Sequence, residues 1–367
     1  MYIETLELKA FRNYKKVNLQ NIGKNINIFY GNNAQGKTNL MEAVSILAGG
    51  KSFRAGKERD FILQGMDKAY LKCDFTSKLG KGKIETLLMA DGKKSIKING
   101  IPKSKISDLY GTMYLITFVP DDLKIIKESP SLRRRFFDFE ILKIKPMYYF
   151  VLKNYEKVLK EKNSLLKKTS FGDEKKLIDI YNDQLVEYGE QIIQHRLSYM
   201  KLLNQYADPL HKLISGGESI FLQYKGYGDH ETVKEVLRKK LEHAKQREME
   251  LKSALVGPHR DDIDIIIDGK DSKIFSSQGQ QRTGILSLKL GAIEIIKNKI
   301  RENPILLLDD VLSELDAERK KKLLQVIQDI QVFITTCDLD SVSMISGADT
   351  FEINSCMITR KNVIKPF

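Results

Sequence analysis

Apolar and polar residues alternate through positions 2 to 30, and the last run, Ile26, Ile28 and Tyr30, stops at Gly31. That is the pattern of β-strands ended by a break. Apolar spacing then becomes helical from Lys37 to about Ala48, so the opening order is strand, glycine loop, helix. Period two returns from Ala69 to Ile101, where Asp91-Gly92 and Asn99-Gly100 have the composition of hairpin turns, and an antiparallel sheet is predicted. After Arg133-Arg134-Arg135 the pattern turns helical. The stretch from about Asp173 to Ile214 holds no Gly or Pro except Gly189 and Pro209. Within it Ile178, Tyr181, Leu185, Tyr188, Ile192, His195, Tyr199 and Leu202 recur at alternating spacings of three and four, the stripe of a helix packed antiparallel against another. At 1.5 Å per residue such a helix runs roughly 60 Å. His195 lies on the stripe and is read as a packed core histidine. From Leu255 the helical character ends. Ile263–Ile267 and Ile274 resume strand patterning, a helical run begins near Ser277, and Ile305–Leu308 and Val332–Ile334 read as buried parallel strands.

The strand-and-loop pieces flank the helical stretch. One split domain is predicted, residues 1–130 with 252–367, closed around an inserted helical arm at 131–251. Cys73, Cys337 and Cys356 form no C-x-x-C pair, so neither a disulfide framework nor a structural zinc site is expected, and a reducing cytoplasm suits the chain. The N-terminus lacks an apolar leader and no run approaches the ~18 apolar residues that span a bilayer, so no membrane partner is expected. Lys and Arg number 61 against 48 acidic residues, a formal +13. Such an excess suits a polyanion, nucleic acid first, or reflects a lysine-rich proteome. Lys51 to Lys105 holds 14 basic and six acidic residues, net +8, and is the first candidate for a DNA-facing surface, with an evenly solvated face as the other reading.

Gly31-Asn32-Asn33-Ala34-Gln35-Gly36-Lys37-Thr38 fits G-x-x-x-x-G-K-[ST] between a predicted strand and a predicted helix, the context a phosphate-binding loop requires. The glycines let successive N–H groups and the helix N-terminus face phosphate oxygens, Lys37 reaches the β- and γ-phosphates, and the Thr38 hydroxyl is placed for Mg²⁺. The buried strand Ile305–Leu308 then delivers Asp309 and Asp310. Asp309 is expected to hold Mg²⁺, and Asp310 to orient or deprotonate the attacking water.

Ser276-Ser277-Gln278-Gly279-Gln280 opens a helix with Ile285, Leu288, Ile293 and Ile296 on its apolar face and Ser277 as N-cap. This run resembles the signature motif of the ABC ATPase superfamily, with Ser277, Gly279 and Gln280 at the serine, second glycine and glutamine positions and Gln278 in place of the first glycine. The resemblance implies that Ser277 and its helix N-terminus bind the γ-phosphate held by another copy, so that ATP joins two heads into a homodimer. Ser313-Glu314-Leu315-Asp316 looks like the family's D-loop. The asparagines of the loop and its Asn39-Leu40-Met41-Glu42-Ala43 tail resemble SMC-like heads. Leu8-Lys9-Ala10-Phe11-Arg12-Asn13-Tyr14, Lys51-Ser52-Phe53-Arg54, Phe118-Val119-Pro120-Asp121-Asp122-Leu123, Ser129-Pro130-Ser131-Leu132-Arg133-Arg134, Gly257-Pro258-His259-Arg260-Asp261-Asp262 and Ser277-Gln278-Gly279-Gln280-Gln281-Arg282 are similar, nearly end to end, to the bacterial RecF family.

That resemblance implies an α/β fold: an ABC-type head, a mixed sheet with its phosphate loop plus an antiparallel sheet, carrying an inserted all-α arm. It also implies an ATP- and Mg²⁺-dependent DNA-binding recombination mediator, a weak DNA-stimulated ATPase of gap repair, fork maintenance and SOS induction. Its implied partners are DNA, RecR and RecO, with RecA indirectly. Two departures stand out. Thr335-Thr336 occupy the place of the transporter ATPases' switch histidine, so slow hydrolysis is expected, and Asp121 and Asp122 stand where the Q-loop glutamine would be. Arg133 to Arg135 suit either DNA or bracing of the arm against acidic residues of the head. A scaffold with an inactive site, an SMC-like nuclease and a transporter ATPase are the competing readings.

Overall fold

Alternation in the first third of the chain builds β1 (Tyr2–Phe11), β2 (Tyr14–Leu19), β3 (Ile26–Tyr30), then α1 (Lys37–Gly49), β4 (Lys68–Ser77), β5 (Gly80–Met89), β6 (Lys94–Ile98), β7 (Ile101–Lys103) and β8 (Leu115–Phe118). Helices follow: α2 (Lys124–Lys127), α3 (Pro130–Ile144), α4 (Tyr148–Leu166) and α5 (Glu174–Ser215). Next come β9 (Ile220–Tyr224), α6 (Val233–Leu251), β10 (Ile263–Ile267), β11 (Lys270–Asp271), α7 (Ser272–Phe275) and α8 (Gln278–Ile300). The chain then forms β12 (Ile305–Asp309), α9 (Ala317–Val326), β13 (Val332–Thr336), β14 (Asp349–Asn354) and β15 (Met357–Arg360). The structure, a computed structural model, describes residues 1–54, 56–168, 174–227, 232–338, 342 and 345–361. Asp173, where the sequence starts the long helix, lies outside the described residues.

Two compact units divide the chain. The first comprises Met1–Asp122, Leu213–Gly217 and Leu286–Phe367. In it a six-stranded antiparallel sheet runs β2-β1-β4-β5-β6-β7, and a second sheet runs β15-β14-β3-β13-β12-β8, parallel except for β15. Asn99 and Gly100 both take positive φ and close the β6–β7 hairpin as their composition predicts. One face of the antiparallel sheet, with Leu6, Leu8, Leu71, Cys73, Ile84 and Leu88, shares a core with Leu40, Met41, Val44 and Leu47 of α1 and Leu307 and Phe333 of the second sheet. All five residues of β12 and all five of β13 are buried, which is why these strands read as unbroken apolar runs in the sequence.

The second unit comprises Leu123–Lys212 and Glu218–Ile285. The breaks between these units fall at Asp122/Leu123 and Ile285/Leu286, with Leu213–Gly217 in the first unit, beside the boundaries expected at 130/131 and 251/252. Residues 252–285 fold with the helices because β10 pairs along its whole length with β9, and because Arg133 of α3 grips Asp262 with two hydrogen bonds of 2.7 and 2.9 Å. The expected all-α insertion therefore contains a strand, β9. Ile274, expected in a strand, lies in α7, where the Asp271 carboxylate caps the turn through the Lys273 N–H.

On α5 the stripe residues Ile178, Leu185, Ile192 and Tyr199 are buried, and Val186, Ile193, Arg196, Leu203 and Ala207 widen the covered face. His195 is half-buried edge-on to Tyr148 at 5.2 Å, and burial lowers its pKa. A buried polar network fixes the loop before β10. Arg196 donates twice to Asp138 at 2.8 Å and once to the Pro258 carbonyl at 2.7 Å, Tyr148 donates to Asp138, and Tyr224 donates to Asp261. Burial depresses the His259 pKa to about 4, so this histidine is neutral where it meets the Tyr155 hydroxyl at 2.6 Å. Arg133 and Arg134 are committed to this loop, through Asp262 and the Asp261 carbonyl, and Arg135 is exposed.

Candidate nucleotide-binding site

The end of β3 places Gly31 and the start of α1 places Lys37 and Thr38, so the loop between them must reverse within a few residues. Its glycines are structural requirements. Gly31 has φ 152°, and a Cβ there would come 2.2 Å from the Ile353 carbonyl oxygen; Gly36, the residue before α1, has φ 111° and would meet the Tyr14 hydroxyl at 2.7 Å. Tyr14 donates to the Gly36 carbonyl at 3.0 Å, and the Ser355 N–H donates to Gln35, so neighbouring strands hold the loop's outline. The helix N-terminus that follows is left with N–H groups facing the loop's concavity, a fixed partial positive charge.

Lys37 is 7% exposed. Its ammonium donates to the carbonyls of Gly31 at 2.5 Å and Asn32 at 2.9 Å and lies 3.5 Å from the Cys337 sulfur, whose thiol donates to Asn33 Oδ1 at 2.8 Å. Thr38 donates to Asp309 Oδ1 at 3.1 Å and Thr335 donates to the same oxygen at 2.7 Å. Burial pushes the Asp309 carboxyl up, opposed by these two hydroxyls and by the charge of Arg54. Asp310 takes a left-handed conformation, φ 55°, its N–H donating to Thr335 Oγ1 and its carbonyl and carboxylate accepting from Ser313. One hydroxyl, that of Thr335, therefore orients both acids at the end of β12. Ser313 and Asp316, of the stretch that looks like a D-loop, brace the turn and cap α9.

Gly31 to Thr38, Asp309 and Asp310 are thus gathered in the first unit. Ser277, Gly279 and Gln280 lie in the second unit, where Ser277 and Gln280 form a reciprocal capping box: the Gln280 N–H donates to Ser277 Oγ at 3.2 Å and the Ser277 N–H donates to Gln280 Oε1 at 2.8 Å. Asp122 has a structural task, accepting from the Val119 N–H at 2.8 Å and pairing with Lys289 at 3.1 Å.

Sequence reasoning missed several supports. Arg12 donates twice to Glu42, which is fully buried on α1, stacks on Phe61, and shares Glu42 with the Ser52 hydroxyl. A glutamate inside an apolar helix was the available signal, because a buried carboxylate demands a partner. Arg54 donates to Asn39 at 3.3 Å. The solvent face of the antiparallel sheet is less basic than its lysine count implies: Lys72 stands opposite Glu7 and Glu85, Lys83 opposite Asp74, and Lys97 opposite Glu85.

The donor set suits a magnesium triphosphate. The concave loop with a buried lysine fits phosphate oxygens, and Thr38 with Asp309 offers hard oxygens at one point. Among the described residues no group of three or more His, Cys, Asp and Glu is placed to cage a metal.

Comparison with known proteins matches residues 2–355 to the RecF/RecN/SMC N-terminal domain family. The DNA replication and repair protein RecF of Clostridium beijerinckii is 43% identical over 346 residues, 94% of either chain. That of Clostridium kluyveri is 43% identical over 364 residues, 98% of this chain and all of its own. A solved structure described as the recombination mediator protein RecF with ATP in the RecFOR pathway superposes with a TM-score of 0.90 at 35% identity, covering 98% of each chain.

Proposed function

Because this chain belongs to the RecF family of DNA replication and repair proteins, with the α/β fold of an ABC-type ATPase head, we propose that it is an ATP-gated, DNA-binding recombination mediator. In this reading ATP draws two heads into a homodimer that clamps DNA, and slow, DNA-stimulated hydrolysis releases it. The protein acts in the cytoplasm in gap repair, fork maintenance and SOS induction, and helps RecO and RecR to load RecA.

The observation that carries this reading is the link between Thr38 and Asp309, which sets the phosphate loop and the acidic strand end at one point. Lys37 would exchange the Gly31 and Asn32 carbonyls for phosphate oxygens, and the backbone of Asn32 to Gly36 would wrap them. Thr38 and Asp309 would hold Mg²⁺, which supplies neutralisation of phosphate charge. Asp310 would orient the attacking water and accept its proton. Ser277, Gly279 and Gln280 of a second copy would close the cage over the γ-phosphate with another helix N-terminus. Slow turnover follows from the absence of an imidazole beyond β13: Thr335 is already committed to Asp309, and Thr336 donates to the Asp338 carbonyl. With Lys72, Lys83 and Lys97 set opposite acids, the Lys51 to Arg59 loop is the better DNA-facing candidate; Lys51, Arg54, Lys57 and Arg59 are exposed there, and the Arg54 charge is felt at Asp309, where it opposes the upward push of burial.

Two measurements test this reading. Affinity for gapped, duplex and single-stranded DNA should fall linearly with salt on logarithmic axes and rise with ATP over ADP; equal affinity with both nucleotides would refute an ATP gate. Asp310→Asn should keep ATP binding, slow phosphate release by roughly a hundredfold and accumulate dimers in size-exclusion chromatography. Unchanged turnover in that variant would place the base elsewhere. Phosphate release no faster in the wild type than in Lys37→Met would favour a scaffold with an inactive site.

A further inference from the structure

We propose that Glu218, which lies between α5 and β9, is a positioning residue that holds the signature serine ready for the partner's γ-phosphate and ties it to the arm helix. The proposal rests on the shared-site reading above and adds the residue that links that site to the arm.

A glutamine amide has one accepting end and one donating end. In Gln280 both are used: Oε1 accepts from the Ser277 N–H at 2.8 Å, and Nε2 donates to Glu218 Oε1 at 2.7 Å. A carboxylate only accepts, so Glu218 admits a single orientation of the amide. Turned round, the amide would set its oxygen against the carboxylate and its NH2 against the Ser277 N–H, losing both bonds. Glu218 therefore fixes the capping box, and through it the position of Ser277 Oγ and the direction of the first turn of α8.

Glu218 is in turn anchored to α5. The Asn204 side chain bonds both the N–H and the carbonyl of Leu222, and Asp208 accepts from the Ile220 N–H at 3.1 Å. His211, fully buried on α5, lies 3.8 Å from Glu218 Oε2. The segment from Glu218 to Leu222 is thus stapled to the last turns of the long helix, and a displacement of Ser277 is passed to α5 through one short charge-assisted hydrogen bond. A lone capping box on an exposed helix end has no such connection.

Dimerisation by sedimentation with a non-hydrolysable ATP analogue, beside affinity for a fluorescent ADP, separates this role from simple nucleotide binding. Glu218→Ala should weaken the ATP-dependent dimer about tenfold while ADP affinity and thermal midpoint stay at wild-type values. Glu218→Gln, which still presents an acceptor, should stay within about threefold of wild type. Gln280→Glu should fail because it sets two carboxylates against each other, and Glu218→Gln added to it should restore the dimer, since a glutamate also completes the capping box while the new glutamine donates to it. Wild-type dimerisation in Glu218→Ala and Gln280→Glu, or a proportional loss of ADP affinity, would overturn the proposal. A wild-type protein that stays monomeric with the ATP analogue would instead overturn the shared-site reading beneath it. Should Glu218→Ala lose its fold, the Gln280→Glu variant and its rescue decide alone.

Discussion

Lys37→Met is expected to lower nucleotide affinity by about a thousandfold, because in the proposed site the ammonium would make charge-assisted bonds to two phosphate groups, each worth ~1.5–3 kcal/mol. The site is built around that charge. Lys37 is nearly sealed from solvent, and in this structure its donors are taken by the carbonyls of Gly31 and Asn32. Methionine, unbranched and one atom shorter, supplies no donor, while Leu40, Met41 and Val44 still anchor α1 in the core. The protein should therefore remain folded and lose ATP, which titration of a fluorescent nucleotide beside a circular dichroism spectrum reads directly. In the proposed dimer, Ser277→Arg would block the opposite half of the shared cage. Each variant alone should stay monomeric with ATP, and an equimolar mixture should recover partial dimerisation, since one intact site remains per mixed pair. A mixture that sediments as monomers while both variants are folded would sink the composite cage.

Glu248→Ala should destabilise the second unit by about 3–5 kcal/mol, the usual consequence of leaving a buried charge without its partner. Lys162 has no solvent exposure and lies 2.6 Å from Glu248 Oε2, and burial lowers its pKa despite that carboxylate. Glu248 also accepts from the Leu255 N–H at 2.7 Å, so the pair fixes the chain leaving α6 where it turns toward the loop before β10. Urea unfolding followed by circular dichroism should show the loss as a lower midpoint with the slope preserved. Combining Lys162→Met with Glu248→Leu should recover most of it, because apolar residues of similar volume replace a buried ion pair at little cost. A shortfall of about 1–3 kcal/mol should persist, since the Leu255 N–H then lacks its acceptor. Stability unchanged in Glu248→Ala would mean that water reaches Lys162.

The phosphate loop, the acids after β12 and the length of α5 are legible in the sequence because each is encoded by near neighbours. A glycine at a left-handed position, an apolar run ending in two aspartates and a three-four stripe keep their meaning wherever the segment lies. The same holds for the Asn99-Gly100 hairpin and for Ser277 as a cap. What escaped the sequence depends on partners brought from far along the chain. Strand β9 is five residues between helices and becomes a strand only because β10 pairs with it. The Arg12–Glu42 pair, the Arg133–Asp262 brace and the Glu218–Gln280 bond join residues whose charges promise a partner without naming one. The basic count of residues 51–105 gave a candidate DNA-facing surface without its partners, and strand register set acids opposite Lys72, Lys83 and Lys97. Local pattern thus determined most of the elements and the residue types they carry. Only the tertiary structure decided the pairing of buried charges and the limits of the units, because burying a charge demands a specific partner at a specific distance, and that depends on how distant segments meet.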